Sequence, residues 1–226
     1  MIINIAHTKG GVGKSTLATN LAVELTLPIL DLDMQRSSFY FNQIRKDYGF
    51  PEMKVFYAQS DEEMQFLEEY KGNKKKHIIV DSGGMDNNLH RLAILYADII
   101  LTPIGLSQIE LLGLQNFYSI LEAANDNSIL DKEYVILNQI NSRSKKEIDG
   151  IKALIKEEFG LKVLDSMISS RKIFKDAFSE GKSVVEKQRK SSSAEEINSL
   201  CNEISKILKK RGWYVLFKNY SNYLNW

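Results

Sequence analysis

Residues 9–16 read KGGVGKST and stand between an apolar pentapeptide, Ile2–Ala6, and the helix-favouring run LATNLAVEL. A strand that runs into three closely spaced glycines and then into a helix has few ways to fold. Gly10, Gly11 and Gly13 let the backbone turn sharply with its N–H groups inward, and the N-terminus of the next helix adds the positive end of its dipole. The loop Gly10, Gly11, Val12 and Gly13 is accordingly the candidate phosphate cradle. Lys14 supplies a point charge for β- and γ-phosphates, the Ser15 hydroxyl suits Mg²⁺, and Thr16, one position further in, reaches towards an α-phosphate. A nucleotide with Mg²⁺ is the implied ligand. A glycine-rich turn holding an incidental Gly-Lys-Ser is the bland alternative, disfavoured by the strand–loop–helix setting.

Apolar runs and amphipathic runs alternate along the rest of the chain. Strands are expected at 2–6, 28–32, 53–57, 78–80, 99–102, 134–138 and 163–168. Helices are expected at about 14–26, 36–48, 61–71, 87–96, 107–124, 144–159, 171–180 and 192–211. Near-continuous apolar strands are the mark of a sheet covered on both faces. The pattern predicts a doubly wound, mostly parallel α/β fold with helices on both faces, the P-loop NTPase architecture. The chain has 226 residues, 43% of them hydrophobic, which suits one domain over 1–211 followed by a tail, 212–226.

A second lysine, Lys9, stands at the first position of the loop. KGGVGKST therefore resembles the deviant Walker A motif of the ParA/MinD ATPases. In that family the equivalent lysine crosses a dimer interface to the partner's nucleotide. DLDMQRS at 31–37 is similar to the family's DxDxQ segment, and the match implies Asp33 for positioning the attacking water and Asp31 for the metal side. HIIVDSGG at 77–84 reads as a Walker B strand whose Asp81 holds Mg²⁺, with Gly83 and Gly84 as a loop that senses the γ-phosphate. ADIILTPIGLSQIELLGL at 97–114 looks like the family's fifth strand and the helix after it. VILNQIN at 135–141 resembles the strand ending in an Asn that reads the adenine edge, which makes Asn138 the base candidate; an Asn at a strand end is also a common turn residue.

The resemblance covers about residues 1–210 and is greatest to the small plasmid-partition ATPases. It implies ATP and Mg²⁺ as ligands, with Lys9, Lys14 and Asp33 catalytic. It also implies a nucleotide-sandwich homodimer, non-specific DNA as a surface, and a centromere-binding partner that stimulates slow hydrolysis. One departure is TLPILDLD at 26–33, where the usual glycine-bearing connection is shortened and Pro28 begins the strand.

Charge is unevenly spread. Residues 1–141 carry 12 Lys/Arg against 18 Asp/Glu, and residues 142–226 carry 18 against 11, although the whole chain sums to +1. That total excludes a uniformly basic nucleic-acid binder. The basic half has Arg171, Lys172 and Lys175 opening one expected helix and Arg189 and Lys190 preceding the next. In the family, basic residues at corresponding places bind DNA without sequence preference; a solvated surface is the plain alternative. A single cysteine, Cys201, excludes an internal disulfide framework and the bridging iron–sulfur cluster of the nitrogenase-type reductases, which share the loop. No signal peptide and no membrane span are read, so a cytoplasmic, nucleoid-associated protein is expected.

The tail places Trp213, Leu216, Phe217, Tyr220 and Leu224 on one helical face. It fits an interfacial membrane helix resembling the C-terminal anchor of MinD, a docking helix, or a segment packed on its own domain. A MinD-like positioning ATPase is thus the main functional alternative. The tyrosines Tyr214, Tyr220 and Tyr223 invite comparison with bacterial tyrosine kinases, but Lys9 and DLDMQRS match the ParA pattern better. His7 is expected to pack or hydrogen-bond beside the loop, and His77 and His90 lack metal-ligand spacing.

Overall fold

The computed structural model describes residues 1–123, 128–141 and 145–213. Seven strands, all parallel, form one sheet: β1 (Ile2–Ile5), β2 (Ile29–Asp31), β3 (Val55–Tyr57), β4 (Ile78–Asp81), β5 (Ile99–Ile104), β6 (Glu133–Ile140) and β7 (Lys162–Ser169). Their spatial order is β3-β2-β4-β1-β5-β6-β7. The helices are α1 (Lys14–Leu25), α2 (Ser37–Asp47), α3 (Asp61–Met64), α4 (Asn88–Tyr96), α5 (Gln108–Ala123), α6 (Ser128–Lys132), α7 (Lys145–Phe159), α8 (Lys172–Phe178), α9 (Val184–Lys187) and α10 (Ser192–Lys210). This is the doubly wound α/β architecture expected from the sequence.

Side-chain alternation explains why the central strands are apolar throughout. Ile3, Ile5, Ile29, Ile79, Ile99 and Leu101 point to the face covered by α1 and α10. Ile2, Leu30, Ile78 and Val80 point to the opposite face, against Met64, Leu67 and Ala93. On α10, Ile197, Leu200, Cys201, Ile204 and Leu208 make a buried stripe, and truncating one such leucine costs about 2–5 kcal/mol. Burial raises the Cys201 thiol far above its usual range, so it behaves as a small apolar residue. The Ser191 side chain accepts the Ala194 N–H at 3.1 Å and caps α10.

The strand order decides where a ligand can sit. The connection leaving β1 crosses β4 to reach β2, while the connection leaving its other neighbour, β5, runs the opposite way to β6. Loops from two adjacent C-terminal ends therefore diverge and leave a crevice between them.

Three local differences from the sequence expectation have physical causes. The stretch 61–71 holds only the short α3, after which Gln65–Glu69 tightens into a 3-10 turn that seats Met64 and Leu67 three residues apart in the core. Helices α6 and α9 are too short for a periodicity to be seen, although α9 carries a full capping box from Ser183 and Glu186. In the tail, Trp213 packs half-buried against the α10 core, and the expected tail helix over 214–226 lies outside the described residues. Among the described residues, no helix is long and apolar enough to cross a membrane.

Candidate nucleotide site

Gly13 is the first determinant of the site. It precedes α1 at φ 90, and no side chain caps the helix, so the first N–H groups of α1 are left for a ligand. A Cβ at Gly13 would lie 2.4 Å from Asn138 Nδ2, so both the backbone conformation and the space require glycine. Gly11, at φ 80, and Gly10 have nothing within 4 Å of a Cβ position, leaving the loop open on its outer side. The loop is braced from β6: Asn138 Nδ2 donates to the Val12 carbonyl at 2.6 Å, and Gln139 Nε2 donates to the Gly11 carbonyl at 3.1 Å. Lys14 is buried and its Nζ donates to the Lys9 carbonyl at 2.9 Å. Burial lowers its pKa, while Asp81 and Asp33 act in the opposite direction.

The carboxylates arrive from β2 and β4. Asp81 is fully buried; it accepts from Ser15 Oγ at 3.2 Å and from Ser38 Oγ at 2.7 Å. Burial and the nearby Asp31 push its pKa up to about 7. Asp31 does not line the cleft. Its two oxygens accept the Asp33 N–H at 3.0 Å and the Phe39 N–H at 2.9 Å, so it caps the first turn of α2 from the neighbouring strand. Burial raises its pKa as well. Asp33 is half-buried, lines the cleft, and accepts the Gln35 N–H at 2.9 Å.

The resulting cleft has a volume of about 570 Å³ and is floored by the loop, with Asp33, Ser37, Gly84 and His90 on its walls. His90 holds the segment after Asp81. Its Nε2 accepts the Gly83 N–H at 3.0 Å, and its Nδ1–H donates to the Met85 carbonyl. Burial lowers its pKa, consistent with a neutral ring that accepts at one nitrogen and donates at the other. The donor set suits Mg²⁺: one hydroxyl, Ser15, and one carboxylate, Asp81, are hard oxygens beside a phosphate cradle, which leaves the remaining ligands to phosphate and water. Among the described residues no group of three or more His, Cys, Asp or Glu stands ready as a self-contained metal cage.

The profile of the CobQ/CobB/MinD/ParA nucleotide binding domain matches residues 3–184. The chain belongs to this family. It is 26% identical over 205 residues to maintenance of carboxysome distribution protein A from Halothiobacillus neapolitanus, covering 88% of this chain and 94% of that protein. Its fold is similar to an ATP complex of a McdA variant from Cyanothece, with TM-score 0.66 and 18% identity over 96% of this chain and 98% of the other. A putative plasmid partition protein from Borrelia burgdorferi bound to AMPPNP gives TM-score 0.64 and 17% identity, covering 91% and 98%. ParA and MinD members of the family are ATPases.

In this ParA/MinD-family chain, Lys14, Ser15, Thr16 and Asp33 line one cleft, with Asp81 buried behind Ser15. Lys9 does not face it; its ammonium is paired with Glu110 on α5. Asn138 lines an adjoining cavity of about 570 Å³ that also touches Thr16, Phe174 and Phe178. Two of the residues read as DNA contacts, Arg171 and Lys175, line that same cavity. Arg171 is in addition tied to Glu196 at 2.6 Å, so its guanidinium is engaged within the chain. Lys172 is exposed and sits 3.6 Å from Asp176, and Arg189 and Lys190 are exposed in the turn before α10. Sequence reasoning missed Ser38, His90, Gln139 and Glu110. For His90 there was a local signal, since Asn87 caps α4 by accepting the His90 N–H at 3.0 Å; for the others the partner is distant in sequence.

Proposed function

We propose that this chain is a nucleotide-switched positioning ATPase that pairs with a second copy when it holds ATP and Mg²⁺, and whose paired form binds DNA without sequence preference. The observation that carries the reading is the rim of the cleft. Two exposed apolar side chains, Met34 and Met85, line it, and Lys9 pairs with Glu110 on a helix that carries the exposed Ile109 and Leu112. Exposed apolar groups clustered at the mouth of a polar cleft fit burial against another protein surface.

The chain's own residues have separable parts in this reading. The loop amides and Lys14 hold the phosphates, and Ser15 and Asp81 hold the metal. Asp33 orients the attacking water, and Lys9 reaches the other copy's phosphates. Bound Mg²⁺ neutralises charge on the phosphate oxygens. Asn138, whose amide nitrogen is engaged with Val12, presents its remaining face to the cavity in which a base fits. Hydrolysis removes the group that holds the two copies together and resets the state, and a partner protein that speeds this step sets the timing. On this reading the cargo is plasmid or chromosomal DNA carried through a centromere-binding partner. The carboxysome-distribution relative favours a second reading, in which the cargo is a protein assembly and DNA serves only as the track. A MinD-like membrane role through residues 212–226 is the further alternative.

The deciding experiment is light scattering with ADP, with ATP, and with ATP plus DNA over a salt series. Dimer in ATP only, and DNA binding whose log affinity falls by about 0.9 per neutralised phosphate for each unit of log salt, is expected. DNA binding that is equal in ADP and ATP removes the switch. Binding unchanged in Lys172→Ala combined with Arg189→Ala removes the assigned surface. Liposome co-sedimentation that depends on residues 212–226 supports the membrane alternative instead.

A further inference from the structure

Lys9 is held by a seat built into α5. Its Nζ donates to Glu110 in the first turn of that helix. A Cβ at Gly113, one turn on, would lie 3.3 Å from His7 Cε1 and 3.4 Å from Lys9 Cδ, so the glycine makes room for the lysine stem. A Cβ at Gly105 would lie 3.2 Å from Glu110 Cγ, so a second glycine makes room for the carboxylate. His7 completes the arrangement: its Nδ1 accepts the Lys9 N–H at 3.0 Å, and its ring stacks on Phe117 of α5 with centroids 5.5 Å apart. Main chain and side chain of Lys9 are thus both tied to one helix.

We propose that Glu110 is a positioning residue that docks Lys9 within its own chain and so sets the ATP level at which two copies pair. The proposal rests on the reading above, in which Lys9 acts across the interface. To reach another copy, Lys9 gives up the pair and leaves behind a carboxylate that is only 19% exposed. The second oxygen, Oε2, is buried without a hydrogen-bond partner, so nothing nearby on the described chain compensates the lost ammonium. Ile109 and Leu112, exposed on either side of Glu110, put the dock on the surface that pairing would cover. Docking of Lys9 on Glu110 and its contact with another copy are therefore competing and adjacent events.

The test is an ATP titration at fixed protein concentration, followed by light scattering, on wild type, Lys9→Ala, Glu110→Gln, Glu110→Asp and Gly113→Ala. Melting temperature and monomer nucleotide affinity are measured in parallel. Freeing Lys9 is expected to favour pairing by about two- to fivefold per lysine, so Glu110→Gln shifts the dimer midpoint to lower ATP while monomer affinity stays level. Gly113→Ala, which pushes the lysine stem out, shifts it the same way, and Glu110→Asp, which keeps the charge, lies between Glu110→Gln and wild type. A Glu110→Gln midpoint equal to or above that of wild type overturns the dock alone. A wild-type chain that stays monomeric in ATP, or a Lys9→Ala chain that pairs normally, overturns the reading beneath it.

Discussion

Asp31 and Asp81 occupy paired positions on the adjacent parallel strands β2 and β4, and both are fully buried. Burial raises the pKa of both, and the charge of a neighbour adds to it, Asp31 acting on Asp81 and Asp33 on Asp31. Their surroundings then divide the work. Asp31 spends its oxygens on the backbone of the 33–39 segment, whereas Asp81 receives only the hydroxyls of Ser15 and Ser38 and is free to exchange one of them for a cation.

Ser38→Ala tests that division. Losing a hydrogen bond to a charged group costs about 1.5–3 kcal/mol, which corresponds to roughly 10- to 100-fold in affinity. The loss is expected in the Mg²⁺-dependent part of nucleotide binding, because Ser38 touches Asp81 and not the loop. Titration of a fluorescent ATP analogue with Mg²⁺ and with EDTA checks it. Equal weakening in both conditions would show that Ser38 merely supports the fold.

Substitutions at the cleft are expected to separate binding, pairing and hydrolysis. Lys14→Ala abolishes productive nucleotide binding. Lys9→Ala binds ATP and remains monomeric. Asp33→Ala retains ATP, accumulates dimer and loses about 10²-fold or more in turnover. Single-turnover hydrolysis alongside light scattering distinguishes the three, and an Asp33→Ala chain that hydrolyses at the wild-type rate would refute the water-positioning role.

At Gly13 the Ala substitution meets two penalties together. A left-handed backbone costs a non-glycine residue about 1–2 kcal/mol, and the added Cβ also meets Asn138 Nδ2 at 2.4 Å. A melting temperature several degrees below wild type and loss of nucleotide binding are expected. Gly10→Ala, with nothing within 4 Å of its Cβ, is expected to keep the stability. Thermal unfolding of the two variants side by side decides it.

Glu133 supplies a pH test away from the cleft. It is buried at the start of β6, accepts from Thr102 Oγ1 at 2.9 Å, and has Oε2 without a partner. Burial pushes its pKa up to about 7 from the ordinary 4.5. Between those values the folded chain keeps a proton that the unfolded chain has lost. This group's contribution to stability therefore falls as pH rises through the window and levels off above it. Glu133→Gln is expected to match wild type near pH 4 and to melt higher than wild type at pH 8. A constant offset across the range would exclude titration of Glu133 as the cause.

Much of the architecture was legible because its determinants are local. The glycines and Lys14 lie within one loop, and the apolar strand runs mark a sheet covered on both faces. Asp33 and Asp81 also could be placed, since each closes or follows such a run. The partners of these groups were not legible. Ser38 meets Asp81 across 43 residues, and Gln139 meets Gly11 across 128. Neither pairing leaves a spacing that a one-dimensional pattern can carry. Arg171 shows the reverse case: it reads as a free cation in sequence and is paired with Glu196 in space.

By itself the sequence determined that strand, loop and helix follow one another with a phosphate-sized turn between them, because backbone conformation at glycine and side-chain periodicity are properties of adjacent residues. The order of the strands was left to the tertiary structure. That order puts β4 between β1 and β2, which sets Asp31 beside Asp81 and Asp81 beside Ser15 at the end of the loop. It also turned two apparently similar carboxylates into a helix cap and a candidate metal ligand, and it turned Lys9 towards Glu110. Those outcomes depend on burial and on charges brought within a few ångströms, and such distances exist only once the sheet has assembled.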